Sequence, residues 1–315
     1  VVEAAGGLRA VGSVLSCEDF QILLLLDRDL NDKVSSAYLM VEPWKLLEAL
    51  DKKMNSLNPN INKLAIKIME DGPDLSTDTD IANVPKGQPA VEHKLETDDI
   101  VTVWGPPGTG KTYTMAKIAN SYIAQGKSVL IVSHSNVSVD GVIKQVVKML
   151  GTDKQSILED GKILRFGYVR DDELSQNPYA TSFNYALSKC DSYARQLEHL
   201  MAKRDELRAK NQMKSKEYDE VEHKIKEIRG EIRKEERKYV ERAQVIGTTI
   251  SRATIDPIFE ERQFDLVMFD EVSMAYVPQV IAAAALAKEK FMCVGDFRQL
   301  APISQSPDSR VLQVD

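Results

Sequence analysis

With 315 residues, 43% hydrophobic and 28% charged, the chain can bury one large core or two modest ones and has the composition of a globular protein. Its formal charge of −7 argues against coating nucleic acid by bulk electrostatics and leaves room for a local groove. Cys17, Cys190 and Cys293 are scattered without metal or disulfide spacing, and no basic–apolar leader opens the chain. The apolar run 22–26 falls far short of the roughly 20 residues that span a bilayer. A cytoplasmic location and no membrane partner are expected.

From the N-terminus, short apolar stretches at 14–15, 22–26 and 37–41, broken by charged and amide residues, read as two or three antiparallel strands. Pro43 suits a first helical position and opens a predicted helix with Trp44, Leu46, Leu47 and Leu50 on one face. The stretch 71–87, rich in Pro, Asp, Gly and Thr, reads as a linker. Residues 1–85 therefore make a predicted accessory region of small strands and a helix, and 86–315 a second domain.

Strand–helix alternation starts at residue 100. Near-continuous apolar runs at 100–104, 129–132, 163–166, 244–248, 266–269 and 291–294 predict an α/β fold with a parallel sheet covered on both faces. The loops at the strands' carboxyl ends should hold the chemistry. The first run leads into Gly105, Pro106, Pro107, Gly108, Thr109, Gly110, Lys111, Thr112 and Tyr113 and then a helical pattern, the spelling and context of a phosphate-binding P-loop. Its glycines leave no Cβ between the main-chain N–H groups and an anion. The helix that follows brings its unpaired N–H groups and positive dipole end to the same place. Lys111 supplies a mobile charge for the β- and γ-phosphates and the Thr112 hydroxyl is placed to ligate Mg²⁺, so ATP with Mg²⁺ is the expected ligand.

Between about 183 and 242 the alternation is interrupted. Ala186, Cys190, Tyr193, Leu197, Leu200 and Leu207 recur at four-three spacing with a break at Arg204, and Tyr218, Val221, Ile225, Ile228, Ile232 and Tyr239 continue the pattern. Both flanking strands must return to one sheet, which predicts an inserted antiparallel helical hairpin turning near Asn211. It would project about 35 Å at roughly 1.5 Å per residue.

Downstream, 264–271 is an apolar strand ending in Asp270 and Glu271. Asp270 is placed to hold the metal; Glu271, expected on the other side of the strand end, is placed to orient or deprotonate an attacking water. A third element, 293–302, sets Gly295, Asp296 and Gln299 just after another apolar strand. Gln299 can both donate and accept, as a sensor of the γ-phosphate must.

Taken in order, the P-loop, Ser135-Asn136 with Val139-Asp140, Gly247-Thr248-Thr249, Asp270-Glu271-Val272-Ser273, and Gly295-Asp296 with Gln299-Leu300 and Pro302 resemble the superfamily 1 helicases, most closely the up-frameshift-type group. The match covers about residues 88–303. This resemblance implies a RecA-like motor domain, catalytic roles for Lys111, Glu271 and Gln299, an adenine-reading Gln88, and contacts of Ser135, Asn136, Thr248 and Thr249 with the backbone of single-stranded DNA or RNA. It also implies a second RecA-like domain with arginine fingers, expected beyond Asp315, without which the chain should bind ATP but hydrolyse it slowly. Plain alternatives stand beside these roles: a surface-loop glutamine for Gln88, and helix capping for Ser135 and Asn136. Two other readings of the whole remain open here. One is an SMC-like ATPase whose coiled coil divides the site; the other is a nucleotide-dependent binding switch whose hairpin engages a protein partner.

Overall fold

The computed structural model describes residues 2–4, 8–18, 21–26, 28, 36–39, 44–71, 87–151, 155–210, 212, 215–296 and 298. They fall into two compact units, Val1–Asp51 and Lys52–Asp315. In the first, β1 (Val2–Ala4), β2 (Arg9–Ala10), β3 (Gly12–Glu18), β4 (Gln21–Leu26) and β5 (Ala37–Leu39) form two small antiparallel sheets, β2-β1-β5 and β3-β4. Helix α1 (Trp44–Asn55) starts where the Pro43 signal predicts. Of its expected apolar face Leu50 is buried, while Trp44 and Leu47 are 50% and 62% exposed.

Helix α2 (Lys63–Asp71) has no counterpart in the sequence reading. It presents Leu64, Ala65 and Ile68 to the core of the second unit. Asn62 Nδ2 donates to the Ala285 carbonyl at 2.9 Å and Gln263 Nε2 to the Ile61 carbonyl at 2.9 Å, pinning its start. The division between units thus precedes the predicted linker, most of which lies outside the described residues.

The second unit continues with α3 (Gln88–Thr97), β6 (Ile100–Trp104), α4 (Lys111–Ala124), β7 (Val129–Ser133), α5 (Asn136–Leu150), α6 (Gln155–Glu159), β8 (Ile163–Arg165), α7 (Asp172–Gln176) and α8 (Ser182–Ser188). After the hairpin helices α9 (Asp191–Ala209) and α10 (Lys216–Arg242) come β9 (Val245–Thr249), α11 (Ile250–Ile255), β10 (Phe264–Asp270), α12 (Val277–Ala284) and β11 (Ala287–Gly295). Its six strands form one parallel sheet in the order β6-β11-β10-β7-β9-β8, the RecA-like α/β arrangement.

The strands read as continuous apolar runs because alternate side chains enter two different cores. Val129, Ile131, Leu266, Met268 and Met292 pack with Met115, Val142 and Ile143 on the α4/α5 face. Leu130, Val132, Val267, Phe269 and Phe291 pack with Ile250, Phe259 and Ile281 on the other. Where β9 meets α5 the fit depends on Gly247: a Cβ there would lie 2.4 Å from Ile143 Cγ1.

The two hairpin helices end at Ala209 and begin at Lys216, and the predicted turn residue Asn211 itself lies outside the described residues. Leu197, Leu207, Tyr218, Val221, Ile225, Ile228 and Ile232 fill its seam. At the break in the pattern, the largely buried Arg204 brings Nε to 3.5 Å from Asp205 and 3.9 Å from Glu222. At the root, the Arg262 guanidinium donates to the carbonyls of Val240 and Ala243 at the end of α10 and stacks over Phe264. Among the described residues no helix is long and apolar enough to cross a membrane.

Candidate nucleotide site and strand-end surface

Parallel pairing brings the ends of the strands level. Trp104 of β6 is in register with Gly295 of β11, Asp270 of β10 with Val294 and with Ser133 of β7, and Ser133 with Thr249 of β9. The predicted phosphate, metal and nucleic-acid residues therefore share one edge of the sheet although they lie far apart in sequence.

The loop after β6 turns through Gly108 and Gly110, whose φ values of 81° and 86° disfavour any side chain. Gly110 is the left-handed N-cap of α4, so the first N–H groups of that helix open toward the loop. The loop's start is stitched to the sheet: Gly105 N–H donates to the Gly295 carbonyl at 3.0 Å. Lys111 Nζ donates to the Gly105 carbonyl at 2.7 Å, and Thr109 Oγ1 to that of Pro106 at 2.7 Å.

Facing the loop, Asp270 and Glu271 close a cleft of about 510 Å³ lined also by Lys111, Thr112, Tyr113 and Ser138. Such a volume is in the range of small-molecule sites. The expectation that strand alternation sends Glu271 to the opposite side is corrected here. Glu271 has φ 54° and ψ 40°, leaving β10 in the left-handed conformation, and so lines the same cleft as Asp270. It is the single non-glycine with positive φ among the described residues, strain of the kind that collects at functional sites.

Asp270 is only 4% exposed and its Oδ1 has no hydrogen-bond partner among the described residues. Burial first, and the charge of the neighbouring Glu271 second, push its carboxyl up to about 6, with the Glu271 backbone N–H and the Lys111 charge opposing. A buried carboxylate oxygen left without a donor is a site for a cation. No group of three or more His, Cys, Asp and Glu among the described residues could hold a metal alone. The donor set of one carboxylate and the Thr112 hydroxyl suits a hard ion that completes its shell with phosphate oxygens and water.

The predicted nucleic-acid residues cluster at the ends of β7 and β9. Ser135 is exposed at the N-cap of α5, making no side-chain cap. Thr248 is fully buried with Oγ1 unpartnered, and Thr249 caps α11, accepting from the Arg252 N–H at 3.4 Å. Asn136 is already engaged: its Oδ1 accepts from Arg165 Nη2 at 2.8 Å. Gln88 is the first residue of α3, not a loop residue, and the nearby Ala90, Val91 and Lys94 line a second cavity of about 360 Å³ beside Trp104 and Gly105. Its side chain, like the whole of Gln299, lies outside the described residues.

Two constellations escaped the sequence reading. Arg165, wholly buried, donates from Nε to Asp140 Oδ1 at 2.6 Å, from Nη1 to the Phe166 carbonyl at 2.6 Å and from Nη2 to the Tyr168 carbonyl at 2.7 Å. Asp140 Oδ2 in turn accepts the Arg170 N–H at 2.6 Å, so the pair fastens the loop after β8 to α5. Secondly, Trp104 Nε1 donates to the buried Asp296 at 3.1 Å and the Arg298 guanidinium lies 5.1 Å from the indole ring centroid. Neither pairing leaves a local signal, because the partners meet only across the sheet.

Comparison with known proteins agrees with the fold. The model of a family described as an AAA domain matches residues 86–307. The chain is 27% identical over 236 residues, 70% of its length, to DNA-binding protein SMUBP-2 of Mesocricetus auratus, covering 22% of that protein. It is 27% identical over 230 residues to DNA polymerase alpha-associated DNA helicase A of Schizosaccharomyces pombe, 69% of the chain and 32% of that protein. A third relative is the Regulator of nonsense transcripts 1 homolog of Arabidopsis thaliana, 26% identical over 213 residues, 65% of the chain and 15% of that protein. The chain thus spans between about a seventh and a third of the length of these curated relatives.

Proposed function

The chain belongs to this AAA-domain family and, within it, to the superfamily 1 helicases of the up-frameshift type, and from that premise we propose that it is the ATP-binding first motor domain of a DNA or RNA helicase. The observation that carries the reading is the convergence of P-loop, Asp270, Glu271 and the Ser135/Thr249 edge at one end of a single sheet. Lys111, resting on the Gly105 carbonyl, is free to turn to a phosphate oxygen without moving the backbone. Asp270 and Thr112 would hold Mg²⁺, which when bound neutralises developing charge on the phosphates. Glu271, held in the cleft by its left-handed backbone, would accept the proton of the attacking water. Gln88 and Gln299 are proposed to read the base and the γ-phosphate.

Ser135 and Thr249 offer hydroxyls, and α5 and α11 their first N–H groups, to a sugar–phosphate backbone without reading sequence, whereas the fully buried Thr248 is withdrawn from such a contact. The names of the relatives include both DNA-directed and transcript-directed proteins, so the substrate is left as single-stranded nucleic acid. A second RecA-like domain would supply arginine fingers, worth on the order of 10³–10⁵ in rate in related phosphoryl transfers. The hairpin is proposed as an accessory element able to engage a protein partner. The test is ATP turnover by the full-length polypeptide with and without single-stranded DNA and RNA. A rise with at least one of them is expected; indifference to both would remove the helicase reading.

A further inference from the structure

Trp104 is half exposed, yet its polar edge points inward. It ends β6 opposite Gly295 of β11, and beside that pairing two hydrogen bonds cross between the strands: Gly105 N–H to the Gly295 carbonyl at 3.0 Å, and Trp104 Nε1 to Asp296 Oδ1 at 3.1 Å. The same carboxylate oxygen accepts the Arg298 N–H at 3.1 Å, and the Arg298 side chain folds back over the indole. Asp296 is only 4% exposed, so a donor lost from it is not readily replaced by water. On the far side of the same backbone, the Gly105 carbonyl accepts Lys111 Nζ at 2.7 Å. Two hydrogen bonds of Gly105, the Trp104–Asp296 bond and one cation–π contact, joined through the backbone of Gly105 and its neighbours, thus connect the P-loop lysine to Arg298, the residue before Gln299 in sequence.

We propose that Trp104 is a positioning residue that ties the P-loop to the turn carrying Asp296 and Arg298, so that a triphosphate in the loop is felt at that turn. The proposal rests on the nucleotide site assigned above and adds a residue outside its phosphate- and metal-binding set. The two states are chemical: Lys111 on the Gly105 carbonyl, or Lys111 on a phosphate with that carbonyl released. Release changes what holds the Gly105 peptides, and Trp104 is the adjoining side chain that reaches Asp296. A Leu or Val at 104 would fill the strand edge but could neither donate to Asp296 nor carry the guanidinium.

The chain has two tryptophans, Trp44 and Trp104, so Trp44→Phe leaves Trp104 as the sole indole reporter. In that background, Mg²⁺ with a non-hydrolysable ATP analogue should change Trp104 emission differently from Mg²⁺ with ADP. Arg298→Ala should abolish the difference while a fluorescently labelled nucleotide still binds. Trp104→Phe keeps a ring but loses the donor; it should lower kcat for ATP about tenfold with KM within about twofold, with kcat expressed per site titrated by the labelled nucleotide so that unfolded chains are not counted. Should Trp104→Phe fail to fold, the Arg298→Ala spectra decide. Emission identical with both nucleotides bound, or an unchanged kcat in a folded Trp104→Phe chain, overturns the proposal. Absence of labelled-nucleotide binding to the unsubstituted chain overturns the nucleotide site itself, a failure distinct from silence of Trp104 in a chain that binds.

Discussion

Asp270 and Glu271 are adjacent in sequence and share one cleft, and the backbone at Glu271 is what makes that possible. Glu271→Gln keeps the side-chain shape and removes the charge. It should leave nucleotide binding intact and lower turnover at least about 10²-fold, as loss of a general base does; equilibrium binding beside single-turnover hydrolysis checks both halves. A different kind of residue is Arg165, whose charge is held in the core by Asp140 and backbone carbonyls. Removing one partner strands the other, so Arg165→Ala and Asp140→Ala should each cost about 3–5 kcal/mol. The double variant should cost clearly less than their sum, a non-additivity that chemical denaturation of the cycle measures. Replacing Arg165 should also loosen Asn136, whose amide oxygen it holds.

At the scale of elements, the contact of α5 with β9 is governed by the missing side chain of Gly247. Gly247→Ala would drive a methyl into Ile143 and should destabilise the unit by about 1–3 kcal/mol, the usual cost of overpacking, read as a lowered denaturation midpoint. The root of the hairpin carries a pH-sensitive group. Glu236, on α10, accepts a hydrogen bond from the Ser182 hydroxyl of α8, and burial raises its carboxyl above the ordinary range despite Ser182 and the nearby Arg252 and Arg233. A carboxyl raised in the folded state contributes stability that is fully present below its unfolded pKa and lost as pH rises through the folded value. Glu236→Gln should therefore melt higher relative to the parent at pH 8 than at pH 4.5, by a few degrees. An equal offset at both pH values would show that Glu236 does not titrate differently on folding.

Over the whole molecule, net charge and function pull apart. A chain at −7 gains little long-range attraction for nucleic acid, so under the proposed function binding would have to come from a few hydroxyls and helix N-termini at the strand ends. With about four phosphates contacted, log–log salt dependence of single-strand affinity should be no steeper than about −3, taking about −0.7 per contact. Anisotropy titrations across salt concentrations test this, and a much steeper slope would point to a basic surface elsewhere. The carboxyl ends of the strands and the residues just after them expose large apolar side chains, among them Trp104, Val137, Tyr168 and Met274. Such a surface is consistent with the proposed closure of a second domain upon it.

How far the sequence reaches depends on whether a feature is local. The P-loop, the acidic strand and the hairpin were legible because each is written in consecutive residues: glycines where φ must be positive, an apolar run ending in carboxylates, a four-three repeat that needs a partner helix. Short helices such as α2 and α3 were not, since nine or ten residues with a few apolar positions gain their helicity from docking on the sheet rather than from their own pattern. The placement of Glu271 could not be read either, because strand alternation assumes extended backbone and a left-handed residue breaks it. The sequence by itself determined a parallel α/β sheet with a phosphate loop, and what that loop can grip. Only the tertiary structure decided which distant residues meet: Asp140 with Arg165, and Trp104 with Asp296. These are hydrogen bonds between polar groups on different strands and helices, and their partners become neighbours only when the hydrophobic sheet has brought the elements together.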